Sequence, residues 1–111
     1  MRNGLNAKEK KALNRLRDLL LERFPGKITR IQLFGSKARG DADKFSDIDV
    51  LVIIRGGDWK FRDRVRAVSY EVFCETAVDI SLVVMEDKKF RHLVDWQAPF
   101  IKNIQREGVL I

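Results

Sequence analysis

Apolar positions recur along the chain in two different periods, and the changes between them mark out the elements. From Leu5 to Phe24 the period is helical, with Leu13, Leu16, Leu20 and Phe24 on one side of the predicted helix. Asn6 followed three residues on by Glu9 suits a capping box, and Pro25-Gly26 ends the segment. A strand is expected from about Ile28 to Phe34, and a second over the apolar run Ile48 to Ile54. Alternation puts Ile48, Val50, Val52 and Ile54 on one face of the second strand and Leu51 and Ile53 on the other, which describes a strand buried on both sides. Gly56-Gly57 interrupts the pattern. Asp58 then caps a helix through about Cys74, whose Phe61, Val65, Val68 and Val72 return at three- and four-residue intervals. A third strand, Val78 to Val84, sets Val78, Ile80, Leu82 and Val84 against Asp79 and Ser81. A short helical piece from Asp87 follows, then another from about Pro99 to Glu107 with Ile101 and Ile104 inward and Gly108 as the stop. Val109-Leu110-Ile111 reads as a last edge strand or as a surface that a partner completes. Helices and strands interleave, so the fold class is α/β.

Composition narrows the setting. At 111 residues, residues 1–111 are expected to form a single domain with a modest core, and 45% hydrophobic with 34% charged residues is the balance of an ordinary globule. No apolar run approaches a membrane span, and Met1 to Lys11 has no signal-peptide core, so no membrane association and a cytoplasmic location are expected. Cys74 is the only cysteine, which excludes an internal disulfide and a cysteine-based zinc site; a small buried side chain at a helix end is the expectation for it. The formal charge is +6. A basic surface attracts nucleotides, nucleic acids or acidic proteins without choosing among them. Lys8, Lys10, Lys11, Arg15 and Arg17 on the first helix, and Lys60, Arg62, Arg64 and Arg66 on the next long one, read as solvated faces. No basic stripe interleaved with aromatics is present, so direct binding of nucleic acid is not expected.

Three carboxylates carry the candidate chemistry. Asp47 and Asp49 sit two apart at the mouth of the second strand, and Asp79 sits at the mouth of the third. Residues i and i+2 of a strand share a face and neighbouring strands lie about 4.8 Å apart, so the three acids can converge. Such a cluster repels itself unless a cation intervenes, and hard oxygen ligands suit Mg²⁺ bound together with substrate phosphates. Upstream, Gly35-Ser36-Lys37-Ala38-Arg39-Gly40 leaves the end of the first strand. Glycine there lets backbone approach a ligand closely, and amides at the start of a following helical turn point at anions. The dinucleotide pattern G-x-G-x-x-G and the P-loop do not fit, because Gly40 is followed by Asp41 and Ala42. The pattern that does fit is Gly-Ser, ten intervening residues from Lys37 to Ser46, then Asp-x-Asp. Asp41, Asp43 and Asp58 read as turn or cap residues, His92 as structural, and Ser36 has no base at a legible spacing that would make it a nucleophile.

That spacing, with Ala38-Arg39-Gly40 inside it and Ser46 before Asp47, resembles the nucleotidyltransferase superfamily that includes polymerase beta. The short chain is similar to the smallest branch, the minimal nucleotidyltransferases, which are often paired with a HEPN-domain partner. The resemblance implies a small mixed β-sheet with helices packed against it. It implies that Asp47, Asp49 and Asp79 are catalytic and hold two Mg²⁺ ions, while Gly35, Ser36 and Arg39 hold the phosphates of ATP. The implied reaction is attack of an acceptor hydroxyl on the α-phosphorus of a nucleoside triphosphate with release of pyrophosphate.

Chain length bears on the acceptor. The core unit uses nearly all 111 residues, leaving little to build an acceptor pocket, so another macromolecule is expected to bring the hydroxyl. In the minimal branch this resembles an antitoxin that transfers AMP onto a tyrosine of a HEPN ribonuclease toxin. A second reading is adenylylation of a small molecule, as in aminoglycoside-modifying relatives, which usually carry an added helical domain. A third is a non-catalytic antitoxin that neutralises its partner by contact; the acid triad beside a phosphate-type turn argues against it. A homo-oligomer is compatible with the sequence.

Overall fold

The computed structural model describes residues 5–39 and 48–111. Its elements run α1 (Ala7–Arg23), β1 (Ile28–Phe34), α2 (Ser36–Arg39), β2 (Ile48–Ile54), α3 (Trp59–Thr76), β3 (Ile80–Glu86), α4 (Asp87–Asp95), α5 (Pro99–Glu107) and β4 (Val109–Leu110). The four strands form one sheet in the order β3-β2-β1-β4. β1 pairs antiparallel with β2 and β4, while β2 pairs parallel with β3, with α3 as the crossover. The sheet is therefore mixed, as expected.

β2 lies in the middle of two hydrophobic layers because its residues are apolar on both sides. Ile48, Val50, Val52 and Ile54 join Ile31, Leu33, Ile80 and Val84 under α1 and α3, whose Leu13, Leu16, Leu20, Val65, Val68 and Val72 complete that layer. Leu51 and Ile53 belong to a second cluster with Met85, Ile101 and Ile104, packed by Phe34, Phe90 and Leu93. The capping box at Asn6 and Glu9 is present, and the Asp58 carboxylate accepts the Phe61 N–H. Arg15 pairs with Glu75 at 2.9 and 3.2 Å, and Arg23 with Glu71, fastening α1 to α3 from the solvent side.

Three expectations are revised. Cys74 is exposed rather than buried, because it lies two positions past Val72, off the buried stripe of α3. β3 begins at Ile80 and runs to Glu86, shifted two residues from Val78–Val84. Leaving α3 uses up the intervening residues: Ala77 takes φ 60 and donates its N–H to Phe73, and the Val78 N–H donates to the Thr76 hydroxyl. Gly108 does end α5, but with φ −70, which any residue can adopt. Glycine is needed there for space, since a Cβ would lie 2.0 Å from Gln32 Nε2 and 2.5 Å from the Ile104 carbonyl. The apolar end forms β4, pairing Val109 with Leu33 and Leu110 with Gln32.

Candidate active site

The corner after β1 is built by one glycine and one small buried residue. Gly35 has φ +76, a conformation that lets the chain turn off the strand end into α2. Its carbonyl accepts the Ala38 N–H at 3.1 Å, closing the helical turn, and Ala38 is wholly buried in the core. The corner is thereby held as a fixed backbone feature at the end of β1. Ser36 opens α2, so its amide is among those at the start of a helical turn that lack an intrahelical partner.

Asp49 stands next to this corner. It is the second residue of β2, opposite Phe34 on β1 and Ser81 on β3, and alternation places it on the face of Leu51 and Ile53. A Cβ built on Gly35 would lie 2.8 Å from Asp49 Oδ2, so the carboxylate occupies the space a side chain at 35 would need. Phe34, beside both, packs edge-on against Phe100 of α5 with ring centroids 5.6 Å apart. Asp79 lies just before β3, exposed. It shares the strand parity of Ser81, the partner of Asp49, and precedes Ile80, whose partner Ile48 follows Asp47 in the chain. The structure thus brings Gly35, Asp49 and Asp79 to one end of three adjacent strands. Asp47, with Asp41 and Asp43, lies outside the described residues; for Ser36 and Arg39 only the backbone, in α2, is described.

One pair escaped sequence reasoning. Lys37, the second residue of α2, is buried, only 2% exposed, and its ammonium meets Glu9 of α1 at 3.1 and 3.4 Å. Glu9 also accepts the Asn6 N–H at 3.0 Å in the capping box. The N-terminus of α1 is therefore tied to the corner by a charge-assisted contact. Glu9 is legible as a cap, but nothing in the spacing of Lys37 distinguishes it from a surface lysine. His92 is exposed on α4, its ring 6.0 Å from that of Trp96, away from these strand ends.

The donor chemistry fits a hard divalent cation. Asp49 and Asp79 supply carboxylate oxygens at neighbouring strand ends, and glycine at 35 lets the corner backbone lie against the Asp49 carboxylate, where a β-carbon would collide. Among the described residues no group of three or more His, Cys, Asp or Glu assembles, so these two carboxylates alone would not complete a ligand set. Phosphate oxygens are the usual complement of Mg²⁺ held by one or two carboxylates.

The mixed sheet and its strand order can be set beside known proteins. Residues 13–111 match the nucleotidyltransferase domain family. The chain belongs to that family and is a nucleotidyltransferase. It is 34% identical over 100 residues, 90% of this chain and 94% of the relative, to a protein of Methanocaldococcus jannaschii provisionally named a protein adenylyltransferase. Among solved structures, one described provisionally as a minimal nucleotidyltransferase superposes with a TM-score of 0.62 at 22% identity, covering 94% of this chain and 95% of its own. A mutant of the MntA–HpeT toxin–antitoxin superposes with a TM-score of 0.55 at 22% identity, covering 96% of this chain and 72% of that one. These two likenesses establish the fold.

Proposed function

We propose that the chain transfers AMP from ATP to a hydroxyl of a protein, with Mg²⁺, and that its target is a tyrosine of a HEPN-type ribonuclease toxin, for which the chain serves as antitoxin. The observation that carries the transfer is the contact between the glycine corner and Asp49, which sets a phosphate-accepting backbone beside a carboxylate at the adjacent strand end. The relative named as a protein adenylyltransferase supports a protein as the acceptor, and the toxin–antitoxin neighbour in structure supports a toxin.

In this reading Asp47, Asp49 and Asp79 hold the metal, and Gly35, Ser36 and Arg39 hold the outer phosphates. Bound Mg²⁺ supplies charge neutralisation on the entering and leaving oxygens of an in-line displacement. The acceptor oxygen forms its bond to the α-phosphorus as the bridge to the β-phosphate breaks. Pyrophosphate leaves with the electron pair, and the acceptor proton passes to the solvent. The fixed corner contributes orientation, since its backbone is set by φ at Gly35 and by Ala38 before any ligand arrives.

Incubating the chain with the protein encoded beside it, ATP and Mg²⁺ tests the proposal by intact-mass spectrometry. Addition of adenylate to that protein on a tyrosine is the expected result. An unchanged mass, with the two proteins nevertheless bound to each other, would favour neutralisation by contact alone.

A further inference from the structure

Two hollows in the described surface take no wall from Gly35, Asp49 or Asp79, and they join. One, of about 310 Å³, is lined by Leu21 of α1 and by Ile28, Thr29, Arg30 and Ile31 of β1. The other, of about 300 Å³, runs beside Lys10, Leu13 and Asn14 of α1 and Val109 of β4. Arg17, Leu110 and Ile111 belong to the walls of both, so the two form one groove between α1 and the outer edge of the sheet. Its long side follows the helix. Lys10, Asn14, Arg17 and Leu21 recur at steps of four, three and four residues, which sets them in a row of about 17 Å.

The groove is apolar at its floor and basic at its rim. Leu13, Ile31 and Leu33 close it from the core, while Leu21 and Leu110 stand 49% and 68% exposed along it. Lys10, Arg17 and Arg30 supply its charges, and among the described lining residues none is acidic; Arg17 also bonds Asp18, outside the lining, at 3.1 and 3.2 Å. An occupant that matches this wall carries apolar and acidic side chains together. Backbone geometry decides its shape. β4 pairs with β1 at Gln32 and Leu33, and further along that edge the β1 register shifts between Ile28 and Arg30. A bulge of this kind turns an edge away from the addition of another strand, whereas a helix lying along α1 needs no free edge. A second copy of the chain is a poor match. Each of α1, α3, α4 and α5 holds more basic than acidic residues, and the whole chain is +6. We propose that the groove between α1 and the β1–β4 edge holds an acidic amphipathic helix of a partner protein, its apolar side on Leu21, Ile31 and Leu110 and its carboxylates toward Lys10, Arg17 and Arg30. The inference does not depend on the transfer reading.

The probe is a capped synthetic peptide of about 14 residues, roughly four helical turns, with leucine recurring every three or four positions and glutamate on both sides of that stripe. Added to the whole chain, it should shift the backbone amide resonances of residues 10–21, 28–31 and 109–111 and leave Gly35 and Asp49 unmoved. Leu21→Ala should weaken binding about fivefold and Arg17→Glu about tenfold, with thermal midpoints near the parent's because both side chains lie at the surface. Lys10→Glu with Arg17→Glu should reverse the preference, taking the same peptide with lysine in place of glutamate. A version with a central proline, which does not stay helical, should bind at least about tenfold more weakly than the probe. Equal affinity for the glutamate and lysine peptides, affinity unaltered in Leu21→Ala and Arg17→Glu, or equal binding of the proline version would overturn the inference. So would concentration-dependent shifts at residues 10–21 without peptide, which would give the groove to a second copy of the chain.

Discussion

Gly35 and Asp49 occupy each other's space: a β-carbon on Gly35 would come within 2.8 Å of Asp49 Oδ2. Sequence separates them by a loop, and the antiparallel pairing of Phe34 with Asp49 brings them together. Gly35→Ala should therefore be unfavourable twice, through a positive φ that alanine resists and through displacement of the carboxylate. A loss of about 1 to 3 kcal/mol in urea unfolding is expected, with a larger proportional loss of ATP affinity. Adding Asp49→Ala should restore part of the stability, since it removes the collision but not the backbone strain. Equal stability of both variants would show that the carboxylate does not press on the corner.

The tie between Glu9 and Lys37 yields a prediction about the same corner from its other side. Glu9→Gln removes a negative partner, itself 13% exposed, of the Lys37 ammonium, whose side chain is only 2% exposed. Hydrogen bonds to charged buried groups are worth about 1.5 to 3 kcal/mol, so unfolding should move by that order. Glu9→Gln with Lys37→Met should recover part of it, since the buried positive charge leaves with its partner. A double variant as unstable as the sum of the singles would contradict the pairing.

Much of this could be read from the chain itself, and the misses have physical causes. Helical and strand periods located every long element, because each has a continuous apolar stripe: β1, β2 and α5 begin and end where the pattern places them. β3 started late because the αL exit at Ala77 and the Thr76 hydroxyl bond govern that junction, and neither leaves a trace in hydrophobic alternation. That Gly35 and Asp49 would meet was legible in their spacing. Lys37 was not, because burial of a lysine depends on a glutamate nearly thirty positions away.

Acid should loosen the α1–α3 seam. Arg23 holds the Glu71 carboxyl below its ordinary range, and Arg15 does the same for Glu75, in each case chiefly by a hydrogen bond. A carboxyl whose folded pKa is depressed contributes stability that is present above its unfolded value, about 4.3, and is lost as pH falls through the lower folded value. Thermal midpoints should thus fall below pH of about 4.3 in the parent chain. The decline should be shallower in Glu71→Gln with Glu75→Gln and weaker at high salt, because both pairs are exposed. Superimposable acid limbs in parent and variant would rule these pairs out.

Gly108→Ala tests the end of α5 by size rather than by backbone angle. With φ −70 there is no conformational objection to alanine, but its β-carbon would meet Gln32 Nε2 and the Ile104 carbonyl. Gln32 is buried and donates to that same carbonyl at 3.0 Å, so the clash also disturbs a buried hydrogen bond. Overpacking of this kind is expected to destabilise by about 1 to 3 kcal/mol. Gln32→Ala should relieve only part of it, since the backbone contact persists. A neutral Gly108→Ala would show that the strand and helix ends move apart freely.

The most direct trial of the central claim follows the phosphorus. With Mg²⁺ and the target protein, label from ATP carrying radioactive phosphorus at the α-position should become attached to protein, and label at the γ-position should not. Asp47→Asn, Asp49→Asn and Asp79→Asn should each lower that transfer by at least about a hundredfold while melting near the parent temperature. Transfer of γ-label, or undiminished α-label transfer by the three asparagine variants, would contradict adenylyl transfer by these acids.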